Sequence, residues 1–255
     1  MIGSLSSFLE MYSNRPMKNN QGGMAAPHSF ASWFICRMLR PTHIVESGVW
    51  YGHGTWVLEQ AAPSARFHCI DPLADYVKYR PKNAVYYKKD FFHLNWDDLP
   101  RDTTLLFFDD HQNAMERLKY CQKIGFKHII FEDNYPPCAG DCYSLKKALQ
   151  GSGFVPHEFP TFKFKHRIIW LFRAKLDFYK GLIKPNGEDA QWIRRHVKIY
   201  YEFPPVYQSE NTRWGWPWQE PMFLGPPPLL TELEERFRLF YDEAQSYTWL
   251  CYVRL

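Results

Sequence analysis

The chain has 255 residues, 45% of them apolar and 18% aromatic, with a net charge of +4 and a pI near 8.6. That length suits one domain carrying an insertion, with ample core. The charge is mild and no block of Lys and Arg appears, so the footprint of a nucleic-acid binder is missing. No window approaches the run of about 20 apolar residues needed to span a bilayer.

Residues 1–27 read as an N-terminal arm with a flexible joint at 19–23, and 28–255 as the domain proper. The arm has neither a basic n-region nor an apolar h-region, so a soluble, cytoplasmic protein without a membrane partner is expected. Residues 29–39 have helical spacing (Phe30, Trp33, Phe34, Met38) and stop before Pro41. A short strand over 43–45 runs into Glu46, passes Gly48, Gly52 and Gly54, and opens a helix over 55–62. Glycine permits a sharp turn and close approach of a ligand, and the helix start beyond it offers free N–H groups.

Strands follow over 66–70, ending at Asp71; 84–88, ending at Asp90; 103–108, ending at Asp109, Asp110 and His111; and 128–131, ending at Glu132 and Asp133. A helix is predicted over 113–123. Buried strands alternating with helices predict a mostly parallel sheet in an α/β, Rossmann-like domain. Ligands of such sheets collect at the carboxyl ends of the strands, where every one of these acids falls. Beyond strand five the pattern predicts helices over 143–149, 188–201 and 229–244, and strands over 166–173 and 247–254. The last two are expected to close the sheet as an antiparallel pair. The aromatic-rich segment 175–227, with Trp214, Trp216 and Trp218, would then be an insertion or acceptor-binding cap. The six cysteines are scattered, and Cys138, Cys142 and His128 make only half a zinc site.

The glycine spacing is not the G-x-G-x-x-G of dinucleotide-binding proteins. With its acid, E-x-G-x-x-x-G-x-G (Glu46, Gly48, Gly52, Gly54) resembles the first motif of class I S-adenosylmethionine-dependent methyltransferases. Residues 28–150 carry the resemblance, which implies the seven-stranded methyltransferase sheet and S-adenosylmethionine as cofactor. An ionised acid suits a ribose diol, which assigns Asp71 to the ribose; the alternative is a turn cap. The resemblance places Asp90 by the adenine amino group and Glu46 under the amino-acid end of the cofactor. The pairs Asp110–His111 and Glu132–Asp133 resemble the Mg²⁺-dependent cephalosporin-pathway and macrolide-sugar O-methyltransferases. That group implies Asp110, Glu132 and Asp133 as ligands of Mg²⁺, and Asp110 or His111 as catalytic base. One departure stands out: two consecutive acids, Asp109 and Asp110, replace the spaced acids of the family element.

The expected activity is O-methylation of a hydroxylated acceptor, a sugar or glycan in preference to a phenol, because flat indole faces suit a pyranose. The rival from another class is a methyltransferase-like module that binds a glycan or partner without turnover.

Overall fold

The computed structural model describes residues 1–20, 22–155 and 182–255. Seven strands form one sheet: β1 (His43–Ser47), β2 (Arg66–Ile70), β3 (Ala84–Tyr87), β4 (Thr104–Phe108), β5 (His128–Phe131), β6 (Ile199–Glu202) and β7 (Cys251–Arg254). Their order is β3-β2-β1-β4-β5-β7-β6. The first five are parallel, and β7 runs antiparallel to both β5 and β6. β4 is Thr-Leu-Leu-Phe-Phe and buried throughout, as a central strand covered on both faces must be.

Alternation along β4 divides the core. Leu105 and Phe107 face one layer with Phe30, Trp33 and Val57, and Leu106 and Phe108 face the other with Met115 and Leu118. The first layer holds α1 (Leu5–Ser13), α2 (Ala26–Leu39) and α3 (His53–Ala61). The second holds α4 (Ala114–Ile124), α5 (Leu145–Leu149) and α6 (Glu188–His196). Each fully buried Leu, Ile or Phe contributes about 1.5–3 kcal/mol to that core. The boundaries of α4 follow from its ends. The Asn113 side chain accepts from the N–H groups of Met115 and Glu116, and Gly125 closes the helix in the left-handed conformation.

Several elements differ from the sequence expectation. α2 begins three residues earlier than 29, with Pro27 in its first turn, where the missing N–H costs nothing. The N-terminal arm holds α1, whose Leu5, Phe8 and Tyr12 are buried in the core. The helix expected over 188–201 stops at His196, and β-branched and aromatic Ile199, Tyr200 and Tyr201 form strand β6. The helix expected over 229–244 is broken. Leu229 and Leu230 donate their N–H groups to the carbonyls of Pro205 and Val206, leaving one short helix, α7 (Arg238–Asp242), between 3₁₀ turns. In the last strand only Cys251–Arg254 pairs, between β5 and β6; the strand expected over 166–173 lies outside the described residues.

Candidate active site

The carboxyl ends of β1, β2, β4 and β5 surround a cavity in two adjoining halves. Both halves are lined by Gly22, Gly23, Asp109 and His111. The larger half, about 640 Å³, lies along the glycine turn, and the smaller, about 380 Å³, is walled by acids.

The glycines are needed where the chain crosses itself. Gly48 has φ +89°, and a Cβ there would stand 1.8 Å from the Asp109 carbonyl oxygen, so no other residue lets β1 pass the end of β4. A Cβ at Gly54 would meet Glu46 Oε1 at 2.6 Å. Gly52, also left-handed, is the N-cap of α3. Asp71 holds this turn: Oδ2 accepts from the N–H groups of Val49 (3.1 Å) and Trp50 (2.9 Å), and Oδ1 from Leu73 (2.7 Å). The turn-cap role is therefore real, yet Asp71 also lines the larger half beside Trp50, Ile70 and Pro72. Oδ1 keeps acceptor capacity for a ligand hydroxyl.

Glu46 is buried beneath the turn and lines neither half among the described residues. Thr55 Oγ1 donates to its Oε2 at 2.5 Å, while Oε1 has no partner. Burial, reinforced by Asp71, pushes its carboxyl up to about 8 against the pull of the Thr55 hydrogen bond. The structure thus puts Glu46 one layer below the place expected for it.

Asp90 and Asp110 line the larger half, but both are committed to Arg117 of α4. The guanidinium, almost wholly buried and 4.4 Å from the Phe92 ring centroid, grips Asp90 through both oxygens at 2.8 and 2.6 Å. It also donates to Asp110 Oδ2 through Nε (3.2 Å) and Nη2 (2.9 Å). Asp110 Oδ2 accepts a third bond, from Ser47 Oγ at 2.7 Å. The Arg117 hydrogen bonds hold Asp90 below its ordinary range. The two acids expected at the adenine and at the metal are thus both engaged by Arg117, Asp90 through both oxygens and Asp110 through Oδ2.

Asp109 stands where Asp110 was expected. Its carboxylate, His111 and Asp133 each offer a donor atom, all within 4.8 Å of one another. Desolvation and the neighbouring Glu132 and Asp133 raise Asp109 well above the usual carboxylate range; burial and Glu132 do the same to Asp133. Asp133 Oδ2 is buried with no hydrogen-bond partner. An unpaired buried oxygen amid repelling carboxylates is what a cation would satisfy. The two carboxylates suit a hard divalent ion such as Mg²⁺ or Mn²⁺, while the imidazole equally suits zinc or iron. Among the described residues no thiol joins a donor cluster; His128 Nδ1 instead meets Tyr252 Oη at 2.7 Å.

His111 has φ +52° and donates from Nδ1 to Asp141 Oδ1 at 2.9 Å, with Asp133 Oδ2 at 3.5 Å. The Asp141 hydrogen bond, with Asp133 behind it, raises the ring to about 9. In this arrangement the imidazole is protonated at neutral pH and cannot act as the base; it ligates a cation only after losing that proton.

Glu132, the remaining acid, is held by a residue that sequence reasoning passed over. His28 Nδ1 lies 2.5 Å from Glu132 Oε1, and the Thr248 N–H donates to His28 Nε2 at 2.9 Å. A backbone N–H cannot accept, so Nε2 carries no proton, and His28 is the neutral tautomer donating from Nδ1. Strand alternation, extended past the strand ends, carries part of this. Phe107 and Asp109 share one side of β4; Phe108 and Asp110 share the side of α4, where Arg117 waits.

The tryptophans expected to cradle an acceptor line neither half among the described residues. Trp218 is buried against Trp249 at 5.0 Å, and Trp214 stacks on Trp249 and meets the edge of Tyr135. Trp216 is half exposed beside Phe223. Trp218 and Trp214 belong to the core of the C-terminal segment, and Trp216 lies outside it.

No family model matches this chain, and no curated protein matches it. Among solved structures, it is similar to an O-methyltransferase of tomaymycin synthesis from Streptomyces achromogenes in complex with SAM. The identity is 12% over 52% of this chain and 64% of that one, with a TM-score of 0.38. It is also similar to an O-methyltransferase from Bacillus cereus bound to SAH (12%, 51% and 66%, TM-score 0.36). A plantazolicin methyltransferase in complex with a pentazolic analogue and SAH matches at 12% identity over 97% of this chain and 88% of that one, with a TM-score of 0.43. The chain spans just under two thirds of the length of the first two. At these identities and TM-scores the likenesses add nothing to the strand order and cavity described above. A seven-stranded mixed sheet with helices on both faces, its parallel strands presenting one acid-lined edge, is the Rossmann-like α/β fold expected from the sequence.

Proposed function

We propose that the protein is an S-adenosylmethionine-dependent O-methyltransferase acting on a hydroxylated acceptor, a sugar or glycan. One observation carries this reading: a nucleoside-sized half along the glycine turn opens directly onto an acid-walled half, the two meeting at Asp109 and His111. Their combined volume suits a cofactor and a small acceptor. Asp71 Oδ1 has room for a ribose hydroxyl, and the Trp50 ring lies half exposed in the same half. Gly48 keeps that wall free of side-chain bulk.

In the acid-walled half, Asp109, Asp133 and His111 would hold a divalent cation, with Glu132 braced behind them by His28. Such an ion, when bound, lowers the pKa of an acceptor hydroxyl and orients neighbouring oxygens. The oxygen this chain offers such an ion is Asp133 Oδ2, a buried carboxylate oxygen without a donor. The fold's own contribution is alignment, since the cofactor carries its leaving group and an in-line geometry supplies much of the rate. Tyr135, Gln245, Ser246 and Thr248 complete a mostly hydrogen-bonding wall, which favours a polyhydroxylated acceptor over a flat phenol.

Calorimetry with S-adenosylmethionine should show binding that weakens at least tenfold in Asp71→Asn. Release of S-adenosylhomocysteine should then depend on a hydroxylated acceptor. A protein that binds neither nucleoside has a different function, and one that binds both without turnover on any acceptor is the binding module.

A further inference from the structure

The acid-walled half has one wall that methyl transfer to a neutral hydroxyl does not explain. Sharing the lining with Asp109, Glu132 and Asp133 is Arg213, the one Arg or Lys residue that lines this half among the described residues. No acid of the wall forms a salt bridge with it among the described residues: Glu132 is paired with His28, Asp133 stands 3.5 Å from His111, and Asp110 in the adjoining half is held by Arg117. Arg213 is solvent-exposed and enters no ion pair among the described residues.

The turn that presents Arg213 is firmly built. Thr212 is fully buried, its N–H donates to the Trp216 carbonyl (2.9 Å), and its hydroxyl accepts from the Trp216 N–H (3.1 Å). The Gly215 N–H returns to the Thr212 carbonyl at 2.8 Å, with Gly215 at φ +80°. Trp214, next in sequence, is pinned between Tyr135, itself a cavity residue, and Trp249. Arg213 therefore sits in a hydrogen-bonded turn between the buried Thr212 and the partly buried Trp214, and is itself exposed in the cavity lining. An unpaired guanidinium on a fixed backbone, five donors in a planar fork, is a receptor for a carboxylate or phosphate group.

Resting on the methyltransferase reading, we infer that the acceptor is anionic: a hydroxylated molecule with a carboxylate or phosphate group, its hydroxyl toward Asp109 and Asp133 and its anionic group on Arg213. The acid wall by itself would repel such a molecule. Arg213 reverses that bias at one end only, so it fixes which way round the acceptor enters as well as which acceptors enter. Gln245 and Ser246 in the same lining add neutral hydrogen-bonding groups for the remaining oxygens.

The test uses the full chain and matched acceptors differing only in the charged group: glucose, glucuronate and glucose 6-phosphate, then catechol and 3,4-dihydroxybenzoate. Release of S-adenosylhomocysteine is measured with Mg²⁺ present, and binding of each probe to the chain alone by ligand-observed NMR. An acidic member should exceed its neutral counterpart at least tenfold in kcat/KM and bind measurably without cofactor. In Arg213→Met that ratio should collapse through KM, and Arg213→Lys should restore part of it for phosphate more than for carboxylate. The carboxylate and phosphate arms identify which anion is meant. Turnover favouring neutral acceptors, or a preference for acids that persists in Arg213→Met, overturns the inference while the methyltransferase reading stands. Failure of every acidic probe to bind in an Arg213-dependent way also overturns it. Arg213-dependent binding by a chain that ignores S-adenosylmethionine supports the anion site and removes the methyltransferase reading instead.

Discussion

Replacing Arg117 by Met tests the electrostatic architecture of the site most directly. Met keeps much of the side-chain volume against Phe92 but removes the charge and all the donors. The Arg117 side chain is 2% exposed and that of Asp110 13%, whereas Asp90 is 39% exposed. Breaking a buried pair by removing one partner costs about 3–5 kcal/mol, because the other charge is left unsolvated. The Asp90 contact is more than a third exposed, and solvent screening reduces its share to at most about 1 kcal/mol. Asp110 retains the Ser47 hydroxyl and the Gln112 N–H, which softens its loss. The sum is about 3 kcal/mol, most of it from Asp110, and at about 2–4 °C per kcal/mol for a chain of this size the midpoint should fall roughly 6–12 °C. Urea and thermal unfolding measure this. Because the penalty resides in a stranded carboxylate, Arg117→Met combined with Asp110→Asn should recover a large part of it. A loss below about 1 kcal/mol, or a double variant no better than the single one, would refute the reasoning.

Three further outcomes follow from the same geometry. Asp109→Asn and Asp133→Asn should each weaken Mn²⁺ binding, read by electron paramagnetic resonance, at least tenfold, whereas Asp110→Asn should leave it within about threefold; the reverse ranking would return the metal to Asp110. Gly48→Ala should destabilise by more than about 3 kcal/mol in urea, since its methyl group would overlap the Asp109 carbonyl, while Gly215→Ala, at φ +80° with nothing within 4 Å, should cost only about 1–2 kcal/mol. Burial, aided by Arg15, lowers His53 to about 4, so the folded state resists a proton that the unfolded chain takes up near pH 6.5. Its contribution is complete above about pH 6.5 and is lost as pH falls toward about 4, worth about 3 kcal/mol at most, and His53→Gln should flatten the stability–pH curve there by one proton.

How much of this was legible beforehand depends on the range of the interaction concerned. The five parallel strands, the glycine turn and the gathering of Asp71, Asp109, Asp110, Glu132 and Asp133 at one edge are written in local periodicity. A run such as Leu105 to Phe108, hydrophobic at every position, suits little other than a strand covered on both faces. The acids at its end must then lie at the carboxyl edge.

Which acid does what was decided elsewhere. Asp109 and Asp110 are neighbours in sequence, but successive residues leaving a strand point to opposite sides, and only the packing of α4 sets Arg117 on the Asp110 side. His28 and Glu132 are 104 residues apart, and the Thr248 N–H that sets the histidine's tautomer lies 220 residues from it. No local pattern encodes such a meeting. Ile199 to Glu202 became a strand because β7 offered a free edge, and the helical pattern of 229–244 gave way where Leu229 and Leu230 found backbone partners at Pro205 and Val206. The order of polar and apolar residues determined the sheet and the edge on which chemistry can occur. The division of that edge into a braced carboxylate, a neutralised pair and a cluster of Asp109, His111 and Asp133 came from side chains that meet only when the layers close, because the energy of a buried charge depends on whatever stands within a few ångströms of it.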